Sequence, residues 1–391
     1  MSYEILFGEQ SLKFNLPTNF EVLNVCSAKE QVAINESLLE KILLEKFLDP
    51  IGTKSLKVLI KPTMKIVIVV DDLTRPTPVI KILEPLVNFL LNEMNVPKEN
   101  LSIIIGLGIH RDMTQEEYQE RVGLKIASEI KWKNHQIKNV EEIAKSSLGT
   151  KVEINKEFLE SDFAIALGTI EPHPFAGFSG GSKAVIPGIA GLKTISTNHK
   201  LALTKNATVG KIEHNKLRRD IDEIGEISGL NFIINTLLNS KKEIVDIVVG
   251  HPLKAHREGV RISREMFETP IKEPADILIA SSNPLFIDTR QSGKCALNNK
   301  LAVKKGGSIL IASPCPEGMG SMQIEGEQPS RDSVKMLAKL LPKRILLFFI
   351  QKIRKYPIED SINLYLVFKL LARNDLLFAN NFELFEIICK K

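Results

Sequence analysis

The sequence predicts an α/β protein of two α/β domains, with a Rossmann-like parallel sheet in the N-terminal domain and an active site in the interdomain cleft. Three observations carry this. A continuous β-branched run at residues 65–70 breaks into a polar turn and is followed by an amphipathic helical pattern over 79–95, which makes a β-α unit. Further strand patterns at 101–107 and 163–167 also end in polar or glycine-rich turns. The length of 391 residues exceeds the roughly 100–200 of a single domain. Prolines and charges at 270–274 mark the boundary, giving domains at 1–269 and 270–391.

In order along the chain, short alternating segments at 3–7 and 12–14 predict strands, and a helical pattern runs over 28–46. After the 65–70 strand and its helix, the 101–107 strand leads into a turn at 108–114, where Thr114 and Glu117 have capping-box spacing for the next helix. The 163–167 strand stops just before Glu171. A charged amphipathic helix is expected over 211–228, strands at 231–235 and 243–249, and a helix over 252–267. In the second domain, strands at 276–280 and 308–312 flank a helical stretch at 293–304, and a Gly/Pro turn follows at 313–320. Beyond residue 323 the pattern weakens to helices and one apolar strand.

Charge and composition narrow the function. A net charge of +5 with Lys and Arg interleaved among Asp and Glu offers no basic arm or helix, which argues against nucleic acid. Four scattered cysteines without a Cys-x-x-Cys pair suit a reducing compartment and argue against a thiolate zinc site. Apolar runs such as 345–350 fall far short of the ~20 residues a membrane helix needs, and the N-terminus carries no secretory pattern. The expectation is a cytoplasmic protein without membrane partners.

Strand ends in an open α/β sheet deliver residues to one crevice, so Asp72, Arg75, His110 and His173 are expected to converge there. Asp72 reads either as a cap for the following helix or, with Thr74 and Arg75, as part of a pocket; Arg75 supplies a planar donor for carboxylate or phosphate. Asp71 and Asp72 together also suggest Mg²⁺, as a minor reading. His110 follows a glycine turn, and His173 sits between two prolines ahead of a glycine loop; each is either a turn histidine or an acid–base group. The loop 177–183 lacks the glycine directly before lysine that a Walker motif requires, because Ser182 stands there. Lys183 is then a phosphate ligand or a covalent attachment point, if not a surface ion-pair partner, and Gly180 and Gly181 allow close backbone approach. His135, His214, His251 and His256 read as structural. Gln291 and Lys294 open a helix in the second domain, where they could orient a small carboxylate together with Arg75.

These residues carry a resemblance. The run 71–76 (Asp-Asp-Leu-Thr-Arg-Pro), the turn 108–114, the stretch 171–190, His199 and the Gln291-x-x-Lys294 pair resemble the nickel-pincer-nucleotide-dependent lactate racemase family, in consistent order over residues 65–320. The resemblance implies a 2-hydroxy acid racemase or epimerase using nickel and a pyridinium-3,5-bisthiocarboxylic acid mononucleotide, tethered covalently to Lys183, with His199 as the nickel ligand. It also implies His110 and His173 as the acid–base pair, Asp72 and Thr74 lining the nucleotide pocket with Arg75, and Arg75, Gln291 and Lys294 orienting the substrate. Catalysis would proceed by reversible hydride transfer through a planar 2-keto acid. Partners implied are a small-molecule 2-hydroxy acid and the cofactor-biosynthesis and nickel-insertion enzymes, and a homodimer is an assembly open to the chain. The chain departs from the lactate-specific pattern in carrying Arg290 where that pattern has tyrosine, in having Trp132 as its only tryptophan, and in a Gly-Met-Gly at 318–320 in place of a histidine-containing turn. Arg290 is therefore expected to favour a bulkier or more anionic substrate. The alternatives are an oxidoreductase with a dissociable nucleotide, for which no G-x-G-x-x-G follows a strand, and a non-catalytic carrier of nickel or cofactor.

Overall fold

The computed structural model describes residues 2–27, 29, 31–318, 336, 340, 341, 345, 365 and 370–381, apart from the side chain of Arg290. The expected helices beyond residue 323 and the turn residues 319–320 lie outside the described residues.

The chain opens on an antiparallel hairpin of β1 (Ser2–Phe7) and β2 (Gln10–Asn15). The first long helix, α1 (Glu36–Leu48), starts later than its apolar spacing predicts. Asn35 caps it by accepting the Ser37 N–H, and upstream the Ile34 N–H is taken by the Ile244 carbonyl and the Gln31 carbonyl by Asn239. Those tertiary bonds hold 31–35 out of the helix. After a short α2 (Leu56–Leu59) come β3 (Ile66–Asp71) and α3 (Val79–Asn88), the latter relaxing into a wider turn over Phe89–Glu93. β4 (Leu101–Gly106) leads to α4 (Gln115–Val122), where the Thr114–Glu117 capping box is present in both directions. α5 (Leu124–Glu129), β5 (Lys131–Asn134), the antiparallel pair β6 (Val140–Lys145) and β7 (Lys151–Asn155), and α6 (Lys156–Leu159) precede β8 (Phe163–Thr169).

β8 runs into a tiny hairpin of β9 (Pro172–His173) and β10 (Gly177–Phe178), then a tight turn at Gly181–Ala184 and α7 (Leu192–Lys200). α8 (Lys216–Ile227) begins later than predicted, because Asn215 accepts the Arg218 N–H and fixes its start. β11 (Phe232–Leu238), β12 (Ile244–Gly250) and α9 (Pro252–Phe267) follow.

Two compact units divide the chain: residues Ala28–Glu268 form one, and Met1–Ser27 with Thr269–Lys391 the other. In the first, six strands are ordered β12-β11-β8-β3-β4-β5, all parallel except the β12 edge. Residues 66–70 of β3 are no more than 1% exposed, as a strand covered on both faces must be. Alternate residues Ile66, Ile68 and Val70 join Ile103, Ile105, Ile165 and Leu167 in one core with Leu43 and Phe47 of α1 and Ile82, Leu83 and Leu86 of α3. Each such fully buried aliphatic contributes about 1.5–3 kcal/mol relative to exposure. The chain passes from β3 outward to β4 and β5 and then returns to β8 on the other side of β3. That reversal makes the carboxyl ends of β3, β4 and β8 the switch point at which α/β sheets open a ligand crevice.

In the second unit, β13 (Ala275–Ser281), β14 (Val303–Ala312) and β15 (Asp375–Ala379) form a parallel sheet, and α10 (Thr289–Asn299) connects the first two. The hairpin β1–β2 belongs here: Leu12 and Phe14 pack with Leu310, Ala312 and Ala379. The helix expected over 293–304 thus ends at Asn299, and Val303 and Lys304 already lie in β14, where Gly306 at φ +92° and the register shift opposite Ala275–Ile277 accommodate an irregular start.

Candidate active site

The turn after β3 separates the two aspartates. Asp71 pairs with Arg121, and its carboxylate also accepts from the Thr77 hydroxyl at 2.6 Å, which continues through Thr169 and Thr236 in hydroxyl steps of 2.9 Å each. Asp72 turns the other way and accepts the Thr74 N–H at 3.0 Å and the Thr74 hydroxyl at 2.5 Å, an Asx turn. Its second oxygen lies 2.5 Å from His110 Nδ1. Among the described residues no group of three His, Cys, Asp or Glu could hold a metal ion, and the opposed partners of Asp71 and Asp72 remove the Mg²⁺ reading of the pair.

Burial opposes ionisation of Asp72, but the His110 hydrogen bond and charge, the Arg75 charge and the Thr74 bond outweigh it and hold the carboxyl down at about 2. A carboxylate only accepts, so His110 donates this bond through Nδ1–H. The His110 loop is itself fixed: Gly108, at φ +59°, donates its N–H to the Gly188 carbonyl at 2.8 Å, and a Cβ there would meet Pro187 at 3.3 Å. Arg75 is half-buried. Its carbonyl accepts from Arg121, which also donates to the Asp71 carbonyl, and its own N–H reaches the Asp72 carbonyl.

After β8, the β9–β10 hairpin pairs His173 with Gly177, and His173 Nδ1 accepts the N–H groups of Phe175 at 3.3 Å and Ala176 at 3.2 Å. Gly177 is obligatory here, since it stands at φ +79° and a Cβ would come within 2.2 Å of the Lys211 carbonyl oxygen. Gly180 and Gly181 follow at φ +73° and +61°, and the half-buried Lys183 leaves the next turn. Side chains from other elements hold this loop by its main chain. Asn235 of β11 accepts the Gly181 N–H at 2.8 Å, and Arg218 of α8 donates to the Phe178 carbonyl at 3.1 Å while bonding Asp222. His256 of α9 donates from Nε2 to the Ser179 carbonyl at 2.9 Å and accepts from Arg257 at Nδ1, and burial keeps its imidazole well below the usual range and neutral.

His199 lies in the last turn of α7 and is half-buried, with Nδ1 2.8 Å from the Ile195 carbonyl. A carbonyl only accepts, so His199 donates this bond through Nδ1–H, the kind of second bond that orients a metal-ligating imidazole. Neighbouring Asn198 anchors the helix by donating to buried Asp220, which also takes the Ser146 and Thr150 hydroxyls. The remaining histidines have backbone roles: His135 is buried against the Ala190 carbonyl, His251 caps α9, and His214 occupies a turn at φ +58°.

Asp72, Thr74 and His110 therefore meet directly, with Arg75, His173, Gly180, Gly181 and Lys183 on turns from the ends of β3 and β8. Gln291 and Lys294 belong to the other unit, in the first turns of α10; Asp288 caps that helix through the Gln291 N–H, and Lys294 donates to Gln291 at 2.5 Å. Sequence reading missed Arg121, Asn235, Arg218, Asp222 and Arg257. Only the Arg218–Asp222 pair left a trace, an i,i+4 ion pair on a helix. Arg218 is fully buried, so Arg218→Leu, which takes away one of the two arginine partners of Asp222 and leaves Arg257 as the other, is expected to cost about 1–3 kcal/mol of stability, read as a lowered denaturant midpoint at unchanged slope.

The chain is similar to known proteins in sequence and in fold. The family described as the lactate racemase N-terminal domain matches residues 7–210. A lactate racemase of Thermoanaerobacterium thermosaccharolyticum is 37% identical over 352 residues, spanning 87% of this chain and 81% of that protein. A lactate racemase of Lactiplantibacillus plantarum is 32% identical over 294 residues, spanning 73% and 69%. The structure of the lactate racemase apoprotein from T. thermosaccharolyticum superposes with a TM-score of 0.83 at 28% identity, covering 100% of this chain and 92% of that one. A Thermotoga maritima crystal structure at 18% identity shares the fold, with a TM-score of 0.65 over 89% and 88% of the two chains. On fold, sequence and family match together, the chain is an isomerase of the racemase class and belongs to the lactate racemase family.

Proposed function

We propose that this racemase interconverts the enantiomers of a lactate-like 2-hydroxy acid by reversible hydride transfer to a nickel-pincer nucleotide tethered at Lys183, with His199 on the nickel. The observation that carries the reading is the imidazole pair at the switch point: His110 backed by an ionised Asp72, and His173 seated in a backbone hairpin, on the turns after β4 and β8, the two strands that flank β3. The donor set suits such a group. Lys183 supplies an amine on a tight turn that begins with two left-handed glycines, and His199 supplies an imidazole, a donor that nickel accepts, oriented by its Nδ1–H bond to the Ile195 carbonyl. When bound, the cofactor supplies the hydride acceptor, and its supply requires cofactor-making and nickel-inserting enzymes.

The chain's own residues do the rest. Arg75 presents a planar fork for the substrate carboxylate beside Asp72 and Thr74. His110 and His173 serve the hydroxyl oxygen, where a proton must leave as the carbon is oxidised to the planar keto acid. Arg290 shifts preference toward a bulkier or more anionic acid than lactate. No helix among the described residues is long and apolar enough to cross a membrane.

A 2-deuterated substrate tests the reading. Racemisation by chain loaded with the cofactor is expected to retain the deuterium at C2, because a hydride carried by a bound acceptor does not exchange with water. Wash-out into solvent at the rate of racemisation would establish a carbanion route instead, and inactivity on a broad 2-hydroxy acid panel would favour a carrier.

A further inference from the structure

We propose that Gly225 of α8 is a positioning residue for Lys183: it leaves a notch in the helix that Ser182 fills, and so seats the turn from which the lysine side chain leaves. This rests on the reading of Lys183 as the attachment point given above, and it concerns where the turn lies rather than what the lysine does. Glycine inside a helix is unfavourable beside alanine, because it has more backbone freedom to lose and packs no side chain. Gly225 nevertheless stands buried within α8, seven residues after Arg218 and three after Asp222. At the helical repeat of about 3.6 residues these three lie along one face.

Space explains the choice of residue. A Cβ built on Gly225 would come within 2.1 Å of Ser182 Oγ and 2.4 Å of Ser182 Cβ, but would stand 3.5 Å from its Cα. Rotation about the Cα–Cβ bond carries the hydroxyl away. It does not move the Cβ, so a side chain at 225 must push the backbone of residue 182. The Ser182 carbonyl takes the N–H groups of Val185 and Ile186, both at 3.0 Å, and these bonds close the turn around Lys183. A displacement of Ser182 is therefore passed on to the lysine.

The turn has no room to retreat. Ser182 is 3% exposed, the Gly181 N–H is held by Asn235 at 2.8 Å, and Arg218 donates to the Phe178 carbonyl from the same face of α8. Glycines mark its other boundaries as well: a Cβ at Gly181 would meet His256 Cδ2 at 2.9 Å, and one at Gly188 would meet the Ala184 carbonyl oxygen at 2.1 Å. α8 thus fixes the loop twice, by hydrogen bonds from Arg218 and by close contact at Gly225.

Moving the missing side chain from one partner to the other tests this. Co-expressed with cofactor-making enzymes, Gly225→Ala is expected to gain the nucleotide-sized mass increment on the order of 10²-fold more slowly than wild type, the scale of an ångström's misplacement, and Ser182→Gly/Gly225→Ala, which removes both crowded atoms, to recover to within about 10-fold. Ser182→Ala/Gly225→Ala keeps the Cβ and should remain slow. Equal attachment in wild type and Gly225→Ala overturns the proposal, and so does a glycine double variant no better than the alanine one. Hydrogen exchange of the cofactor-free chain reads the seat independently: amides in 181–186 are expected to exchange about 10-fold faster in Gly225→Ala and to slow again in the glycine double variant, with circular dichroism unchanged. Exchange unaltered by Gly225→Ala overturns the seat. If Gly225→Ala does not fold, the glycine double variant is expected to fold, and two unfolded variants overturn the proposal. A wild type that gains no adduct removes instead the reading of Lys183 as attachment point, and exchange then decides the seat alone.

Discussion

Lys183→Ala is expected to abolish covalent cofactor attachment. Co-expressed with cofactor-making enzymes, wild type should show a nucleotide-sized mass increment and bound nickel, and the variant neither, with racemase activity falling below detection. The effect should be this sharp because the turn is placed by its main chain. Gly180 and Gly181 occupy left-handed backbone conformations, and a Cβ at Gly180 would come within 2.6 Å of Ile170 and 2.8 Å of the Asn235 side chain. Asn235, Arg218 and His256 grip the loop through the Gly181 N–H and the Phe178 and Ser179 carbonyls. Truncating the Lys183 side chain leaves those bonds in place, so the unfolding free energy should move by about 1 kcal/mol, the scale of an ordinary point substitution. An adduct of unchanged mass in the variant would remove Lys183 from the mechanism, while loss of both fold and adduct would show that the lysine itself holds the loop.

How far the sequence revealed this arrangement depends on the range of the interaction. The β-α units were legible because β-branched runs and amphipathic helices are local patterns, and Thr114 and Glu117 announced their capping box because cap spacing is local too. Starts set by distant partners were not: α1 waits for Asn35 because residues 31–34 are bonded to the β11–β12 hairpin, which spacing cannot report. Within the site, the histidines, the lysine and the glycines stood out by residue type and context. Their supports did not, because Arg121, Asn235 and His256 look like ordinary members of their elements until the chain folds. The Asp72–His110 bond belongs to the same class, since Asp72 lies far from His110 in sequence and only the fold sets which group meets Nδ1.

That dependence makes Asp72→Asn the most informative single substitution in the site. The Asn side-chain oxygen can still accept from the Thr74 N–H and hydroxyl, so the Asx turn survives, and the new NH₂ falls where the Asp72 oxygen faces His110 Nδ1. An NH₂ donates where the carboxylate accepted. His110 must then bare Nδ1 and carry its proton on Nε2, which removes the base from the substrate side and the counter-charge from the imidazolium. Activity is expected to fall by about 10⁴-fold, the scale of the same exchange in a serine-protease triad, with cofactor attachment at Lys183 retained. Stability should respond in a defined pH window. The folded carboxyl is depressed to about 2, so its contribution, roughly 2 kcal/mol, is present above the unfolded value near ~3.9 and is lost as pH falls through about 2. Wild type should accordingly lose its stability advantage over the variant on acidification from about pH 4 to pH 2, measured by urea unfolding at each pH. A variant that keeps near-wild-type activity, or a stability difference constant across that range, would show that Asp72 serves the turn alone.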